Sequence, residues 1–184
     1  MIERPNMTDS INYRIPRQRI SLVRDGSLLS SWKIFGNSRQ VFEFAREQLF
    51  ADVDREQFWV MMLDSKNRLI GINMISQGSL SASIVSSREA YKPAIISNSA
   101  AVIFLHCHLS GDPAPSREDR DCMARLVNAG AILGIRILDH IIIGDTDHYS
   151  FADAGASMKA AEISHLGSRK LPVSAMRIPT PRCE

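Results

Sequence analysis

The spacing of apolar residues along the middle of the chain predicts alternating strands and helices. The run at 100–106 is short, continuous and apolar, which is typical of a strand buried on both faces, and the nearly apolar run at 135–143 predicts another buried strand. The second run stops at Gly144, and the segment 64–67 has the composition of a turn. Together with three other short runs rich in apolar residues, these two runs predict five strands: 58–63, 68–76, 80–85, 100–106 and 135–143.

Two stretches carry apolar residues three and four positions apart, which is the period of an amphipathic helix. The first begins with Asn37 or Ser38 as its cap. Its apolar face is Val41, Phe42, Ala45 and Leu49. The second covers 117–133 and is stopped by Gly134. Its predicted apolar stripe is Cys122, Met123, Leu126, Ala129, Ile132 and Leu133.

A third helix is expected to follow Ser86. Ser86 and Glu89 have the spacing of a capping box, in which the Glu89 carboxylate accepts from the backbone N–H of Ser86. Pro93 lies beyond the first turn, so this helix is expected to be short or kinked. A further short helix is expected from about Gly155 to His165.

Interleaved helices and strands predict an α/β sandwich around one sheet. These elements fall within 37–155, which is the predicted domain. Residues 1–36 show no sustained period and are interpreted as an N-terminal arm of poor order. Residues 156–184 are punctuated by proline and arginine and are interpreted as a largely disordered tail.

The candidate chemistry is concentrated where the strand at 100–106 ends. His106 and His108 are two positions apart, so they share one face of a strand, about 6–7 Å apart along the chain, while Cys107 points to the other face. Asp119 precedes Cys122 by three positions, which places it on the apolar stripe of the helix at 117–133. The sequence therefore predicts that two imidazoles and one carboxylate converge.

A carboxylate on a core-facing stripe is costly to bury unless a partner neutralises it. His106, His108 and Asp119 would leave one tetrahedral position open, which is the arrangement of a catalytic zinc site. Such a zinc lowers the pKa of its bound water to about 7. Ser116, one helical turn before Asp119, is a candidate donor to a developing oxyanion.

Structural interpretations stand beside these functional ones. Ser116 is also the natural N-cap of its helix, with Asp119 favouring the helix dipole, and capping would fix the serine without excluding a catalytic role. Cys107 is interpreted as core filler because its strand parity opposes that of the histidines. Asp139 and His140, in an apolar run, either orient a metal ligand or form a buried structural pair.

The block formed by His106, His108, Ser116 and Asp119 resembles the signature of the JAB/MPN metalloproteases. The surrounding sequence is similar, more narrowly, to the RadC family of bacterial proteins over about 38–155. The matching stretches are 58–60, 63–64, 67–70, 88–89, 110–113, 133–135 and 138–140. Cys107 and Leu109 stand where RadC-like proteins usually have Asn and Pro, and no N-terminal helix-hairpin-helix segment is recognised.

This resemblance implies a JAB/MPN-like (cytidine-deaminase-like) α/β fold with a mixed sheet flanked by helices. It also implies one Zn²⁺ per chain, held by His106, His108 and Asp119. By family analogy a glutamate before the first strand activates the water, and Glu56 matches that position best. Taken alone, Glu56 would be interpreted as a solvated charge.

Two classes of function are predicted. The first is a zinc-dependent metallohydrolase that cleaves an amide, peptide or isopeptide bond in a protein or peptide, through metal-activated water. The alternative is a DNA-repair-associated accessory protein with a structural or vestigial metal site, or a metal-dependent nuclease. A DNA-associated accessory protein, unlike the metallohydrolase, should bind DNA with an affinity that falls steeply as the salt concentration rises.

Composition narrows these classes only in part. A chain with 45% hydrophobic and 23% charged residues is not wholly disordered. Its net charge of +2 is too mild to indicate a nucleic-acid binder by itself. No apolar run approaches the roughly 20 residues of a membrane span, and the N-terminus lacks a secretory pattern. Three cysteines without framework spacing suit a reducing compartment, so a cytoplasmic location is expected.

Overall fold

A computed structural model describes residues 16–78 and 85–158, which form an α/β fold with helices on both faces of one sheet. The described elements, in chain order, are α1 (Ser38–Gln48), β1 (Gln57–Leu63), β2 (Leu69–Gln77), α2 (Ser87–Ile96), β3 (Ala101–Cys107), α3 (Arg117–Leu133), β4 (Arg136–Ile143) and β5 (His148–Ser150). The predicted fold class is confirmed, and α3 has the predicted bounds.

The five strands form a mixed sheet in the order β2-β1-β3-β4-β5. The central pair, β3 and β4, is parallel and is connected by α3, whereas the other neighbouring strands are antiparallel. All seven residues of β3 are buried, as the continuous apolar run predicted, because helices cover the sheet on both faces.

Alternation along β3 sends side chains into two separate hydrophobic clusters. Val102 and Phe104 pack with α2 and α3 on one face, and Ile103, Leu105 and Cys107 pack with α1 on the other. His106 follows the parity of Phe104, so its ring lies on the face that α3 covers. The same alternation confirms that Cys107 is core filler.

The helix ends follow from local side-chain chemistry. Asn37 caps α1 by accepting from the backbone N–H of Gln40, and Gly134 ends α3 with a left-handed φ of 70°. The capping box expected at α2 is wrong: Ser86 is the N-cap residue, but its side chain makes no capping hydrogen bond. The carboxylate of Glu89 instead accepts from Lys92 Nζ, 2.6 Å away.

The predicted apolar stripe of α3 is wrong at its C-terminal end. Ile132 is 77% exposed and Leu133 is 44% exposed. The buried face instead continues through Val127 to Gly130, where the Tyr91 hydroxyl packs against the helix. Ile132 lies two positions beyond Gly130, about 200° further round the helix, and therefore faces solvent.

β5 was not predicted, because three residues are too few to show a period. Residues 16–36 contain one isolated bridge, Ile34 with Arg68, and no regular helix or strand. The predicted strand at 80–85 and the helix to His165 fall almost wholly outside the described residues, as do most of the tail and the start of the arm. In the part that the structure describes, no helix combines the length and apolar character that crossing a bilayer requires.

Candidate metal centre

Three polar side chains converge where β3 ends and α3 begins. The Nε2 atoms of His106 and His108 are 3.0 Å apart. Asp119 Oδ1 lies 3.1 Å from His106 Nε2, and Asp119 Oδ2 lies 3.3 Å from His108 Nε2. We call His106, His108 and Asp119 the triad. The structure thus brings together the three residues that the sequence pattern selected as metal ligands.

The turn between β3 and α3 returns the chain over the strand end. Gly111 adopts a φ of 77°, and its N–H donates to His108 O at 3.1 Å. Asp112 Oδ1 accepts from the N–H of Ala114 at 2.9 Å, and this hydrogen bond holds the residues from Asp112 to Ala114 in a turn. Asp145, two residues after β4, packs against Gly111 so closely that a Cβ there would collide with Asp145 Oδ2 and would force that carboxylate to shift. This turn places the first residues of α3 against His106.

Each triad member also has a partner on its outer side. His108 Nδ1 lies 2.8 Å from the carbonyl oxygen of Asp112. Because that oxygen can only accept, Nδ1 carries a hydrogen, and in the neutral ring Nε2 then presents a lone pair to the triad. Asp119 Oδ2 accepts from both the N–H and the hydroxyl of Ser116, at 2.8 and 2.6 Å. His106 Nδ1 lies 2.8 Å from Nε2 of His140 on β4.

Burial and hydrogen bonding set the charges of the triad. Burial raises the pKa of Asp119, but its close contacts with the His106 and His108 rings and the hydrogen bond from Ser116 outweigh this effect and hold that pKa far below its usual value. Burial lowers the pKa of His106, whereas the hydrogen bond with Asp119 raises the pKa of His108. Asp119 is therefore an ionised, buried carboxylate facing two imidazoles.

This donor set fits one divalent cation. Bonds of about 2.0–2.2 Å to a tetrahedral zinc place neighbouring ligand atoms about 3.3–3.6 Å apart, close to the 3.0–3.3 Å observed. Lone pairs at such distances repel one another unless a proton or a cation lies between them. Three ligands would leave one position of a tetrahedral ion open, and His108 has the most exposed side chain of the three, at 14%.

Glu56 lies on the same face of the sheet as His106, just before β1. Its carbonyl accepts from the N–H of Gly78 at 2.9 Å, so the pairing of β1 with β2 extends past the strand. Phe58 pairs with His106, and by strand alternation Glu56 shares the face on which His106 lies. The charge of Glu56 opposes the lowering of the His106 pKa and adds to the raising of the His108 pKa, in both cases after larger effects. Its role as the residue that activates water stays a prediction.

Ser116 is engaged in capping α3. Its hydroxyl accepts from the N–H of Asp119 at 3.1 Å and donates to Asp119 Oδ2, so the predicted N-cap is confirmed as part of a capping box. Its role as an oxyanion donor stays a prediction. In that role the hydroxyl would have to turn away from Asp119.

Asp139 and His140 do not pair through their side chains. Adjacent residues of a strand point to opposite faces, and the Asp139 carboxylate accepts from Ser150 Oγ and from the backbone N–H groups of His140 and Ala152. The interpretation of the two as a hydrogen-bonded pair is therefore wrong for their side chains. The contact of His140 with His106 could be found from the sequence only by knowing that β4 lies parallel to β3.

Comparison with known families and proteins agrees with this geometry. The family described as RadC-like JAB domain matches residues 35–156. A UPF0758 protein of Trichlorobacter lovleyi is 49% identical over 127 residues, covering 69% of this chain and 55% of that protein. A UPF0758 protein of Geobacter sulfurreducens is 52% identical over 106 residues, covering 58% and 46%. The chain spans about half the length of these curated relatives.

Proposed function

The chain belongs to the family of RadC-like JAB domains, within a superfamily of metal-dependent hydrolases, and on that premise we propose that it is a zinc-dependent hydrolase of amide, peptide or isopeptide bonds. The observation that carries the proposal is the convergence of His106, His108 and Asp119, with one imidazole already fixed so that Nε2 faces the centre. Two neutral nitrogen ligands and one carboxylate suit zinc.

The chemistry divides between the ion and the chain. A zinc ion bound by the triad would supply a water of lowered pKa and polarise the scissile carbonyl. Glu56, on the same face of the sheet, would accept the proton of that water and deliver it to the leaving nitrogen. The Ser116 hydroxyl, once turned from Asp119, would donate to the oxyanion.

A nitrogen leaving group favours this assignment of Glu56. An amine leaves only when protonated, so amide hydrolysis needs a group that first takes a proton and then returns it. A cavity of about 360 Å³ adjoins His108 at the ends of β3 and β4, and its lining includes Arg46, Asp52 and Asp145. Of the triad, only His108 lines this cavity, so on this proposal the cavity would receive a part of the peptide substrate on the α1 side of the centre.

The decisive experiment measures metal content and hydrolysis in the same preparations. We expect about one zinc per wild-type chain by mass spectrometry, and loss of that zinc in His108→Ala. Glu56→Gln should keep the zinc but lose about 10²–10⁴-fold in the hydrolysis of a peptide or isopeptide library. Asp54→Asn removes an exposed charge just before the same strand and serves as the matched control.

Two results would overturn the proposal. One is a wild-type protein that takes up no zinc on titration. The other is hydrolysis that survives Glu56→Gln and Ser116→Ala at the wild-type rate, because neither proposed catalytic side chain would then contribute.

A further inference from the structure

The hydrogen bond between His106 and His140 has a consequence for the form of both rings. His140 is fully buried, and its Nε2 lies 2.8 Å from His106 Nδ1. Its other ring nitrogen, Nδ1, is also buried and has no hydrogen-bond partner among the described residues. A buried polar atom without a partner is uncommon in proteins and calls for an explanation.

The surroundings of His140 are apolar. Its ring stacks on Phe151 with centroids 5.2 Å apart, and Phe58 and Phe104 meet it edge-on. The neighbouring carboxylate of Asp139 is bound to Ser150 and to backbone N–H groups, not to this ring. In its neutral form the His140 ring carries one N–H and one lone pair.

When both rings are neutral, the hydrogen that lies between His106 Nδ1 and His140 Nε2 can belong to either nitrogen. In one arrangement, His106 Nδ1 donates to His140 Nε2, so that His106 Nε2 carries a lone pair facing His108 and Asp119. In the other, His140 donates, and the hydrogen of His106 sits on Nε2, where it blocks metal binding. Only the first arrangement is compatible with His106 as a metal ligand.

The first arrangement leaves the Nδ1–H of His140 as a buried donor without a described partner. An unsatisfied buried donor costs about 1–3 kcal/mol. A phenylalanine ring would fill the same aromatic surroundings without that cost, so packing alone does not account for a histidine at this position.

We infer that His140 is a positioning residue: by accepting a hydrogen bond from His106 Nδ1, it holds His106 in the tautomer that binds a metal through Nε2. The inference rests on the proposed function. It assigns His106 a side-chain partner on the neighbouring strand, as Asp112 O serves His108. Outer partners of this kind change metal affinity by about 10–100-fold when they are removed.

The test compares zinc affinities of wild-type and variant forms of the 184-residue protein, measured by competition with a chelating dye. His140→Phe removes the acceptor and keeps a ring, and we expect it to weaken zinc binding about 10–100-fold. His140→Gln keeps a neutral acceptor and should recover most of that loss. Tyr91→Phe, which keeps a ring but removes the buried hydrogen bond from the Tyr91 hydroxyl to Leu126 O between α2 and α3, is the control that lowers stability without changing affinity.

A second readout needs no variant. In zinc-loaded wild-type protein, ¹⁵N–¹H spectra of the histidine rings should show the His106 hydrogen on Nδ1 and the His140 hydrogen on Nδ1. Either hydrogen on Nε2 would overturn the inference, even where the variants fail to fold. Zinc affinity that is equal in wild type and His140→Phe would overturn it as well. These outcomes differ from failure of the proposed function, in which the wild-type protein itself binds no zinc.

Discussion

At the scale of single residues, each member of the triad is held by a different chemical group. His108 is oriented by a backbone carbonyl, His106 by a second imidazole and Asp119 by the N-cap serine of its own helix. The triad and the N-cap serine could be predicted from the sequence, because the spacings between these residues match the side-chain repeats of a strand and of a helix. The carbonyl of Asp112 and the ring of His140 could not, because a turn and a strand pairing bring them into place.

Ser116→Ala should lower the free energy of unfolding by about 0.5–2 kcal/mol, because α3 loses its N-cap. Ser116→Thr keeps a hydroxyl and should lie closer to wild type. Urea denaturation of the three proteins without added metal checks this effect separately from hydrolysis. Equal midpoints for all three would show that the capping hydrogen bonds do not stabilise α3.

Asp139 provides a prediction about pH. Burial raises the pKa of Asp139, although hydrogen bonds from Ser150 and from the backbone oppose the shift. The folded protein therefore holds this proton more tightly than the unfolded chain, and stability falls as the pH rises from about 3.9 through the raised folded pKa. In Asp139→Asn this contribution is absent.

The measurement is the free energy of unfolding of both proteins between pH 3.5 and pH 7, at about half-unit steps. Relative to wild type, Asp139→Asn should become progressively more stable as the pH rises across this window. A difference between the two proteins that is constant with pH would contradict the prediction.

At the scale of elements, the contact between α2 and α3 depends on a glycine. The Tyr91 hydroxyl donates to Leu126 O at 2.9 Å and lies against Gly130. A Cβ at position 130 would also lie 2.7 Å from the backbone oxygen of Ile135, which cannot move aside as a flexible side chain could. The sequence pattern places Ile132 and Leu133 in the core because periodicity alone does not show that the buried face passes through this glycine.

Gly130→Ala should therefore destabilise the protein by about 1–3 kcal/mol, as overpacking does, even though alanine favours helices by about 1 kcal/mol over glycine. Ala124→Gly, at an exposed position of the same helix, is the matched control. It should lower the free energy of unfolding only by the difference in helix propensity between alanine and glycine. Thermal melts of both variants check the prediction. A Gly130→Ala protein more stable than wild type would show that the contact yields without strain.

At the scale of the whole molecule, the candidate centre joins β3 to α3 at the edge where the parallel strands end. The fold class could be predicted because strongly apolar runs alternate with amphipathic periods. Strand β5 could not be predicted, because its three residues form neither an apolar run nor an amphipathic period. The pairing of β4 with β3, which brings His140 to His106, is a property of the assembled sheet.

Under the proposed function, removal of the zinc bound by the triad should lower the melting temperature of the whole domain. An ion held at 100 times its dissociation constant stabilises the fold by about 2.7 kcal/mol. A chelator should therefore shift the melt of wild-type protein downward and leave that of His108→Ala unchanged. Equal shifts in both would mean that the chelator acts elsewhere than on the triad.

The triad lies entirely within the segment 106–119, whereas His140 comes from the next strand of the sheet. Closing so short a loop costs little conformational entropy, so under the proposal above a cation can engage β3 and the start of α3 before β4 is in place. The ion would then act as a nucleus during folding, and refolding in stopped-flow experiments should be faster with zinc than without it. His140 would arrive last, completing the site as the sheet itself is completed.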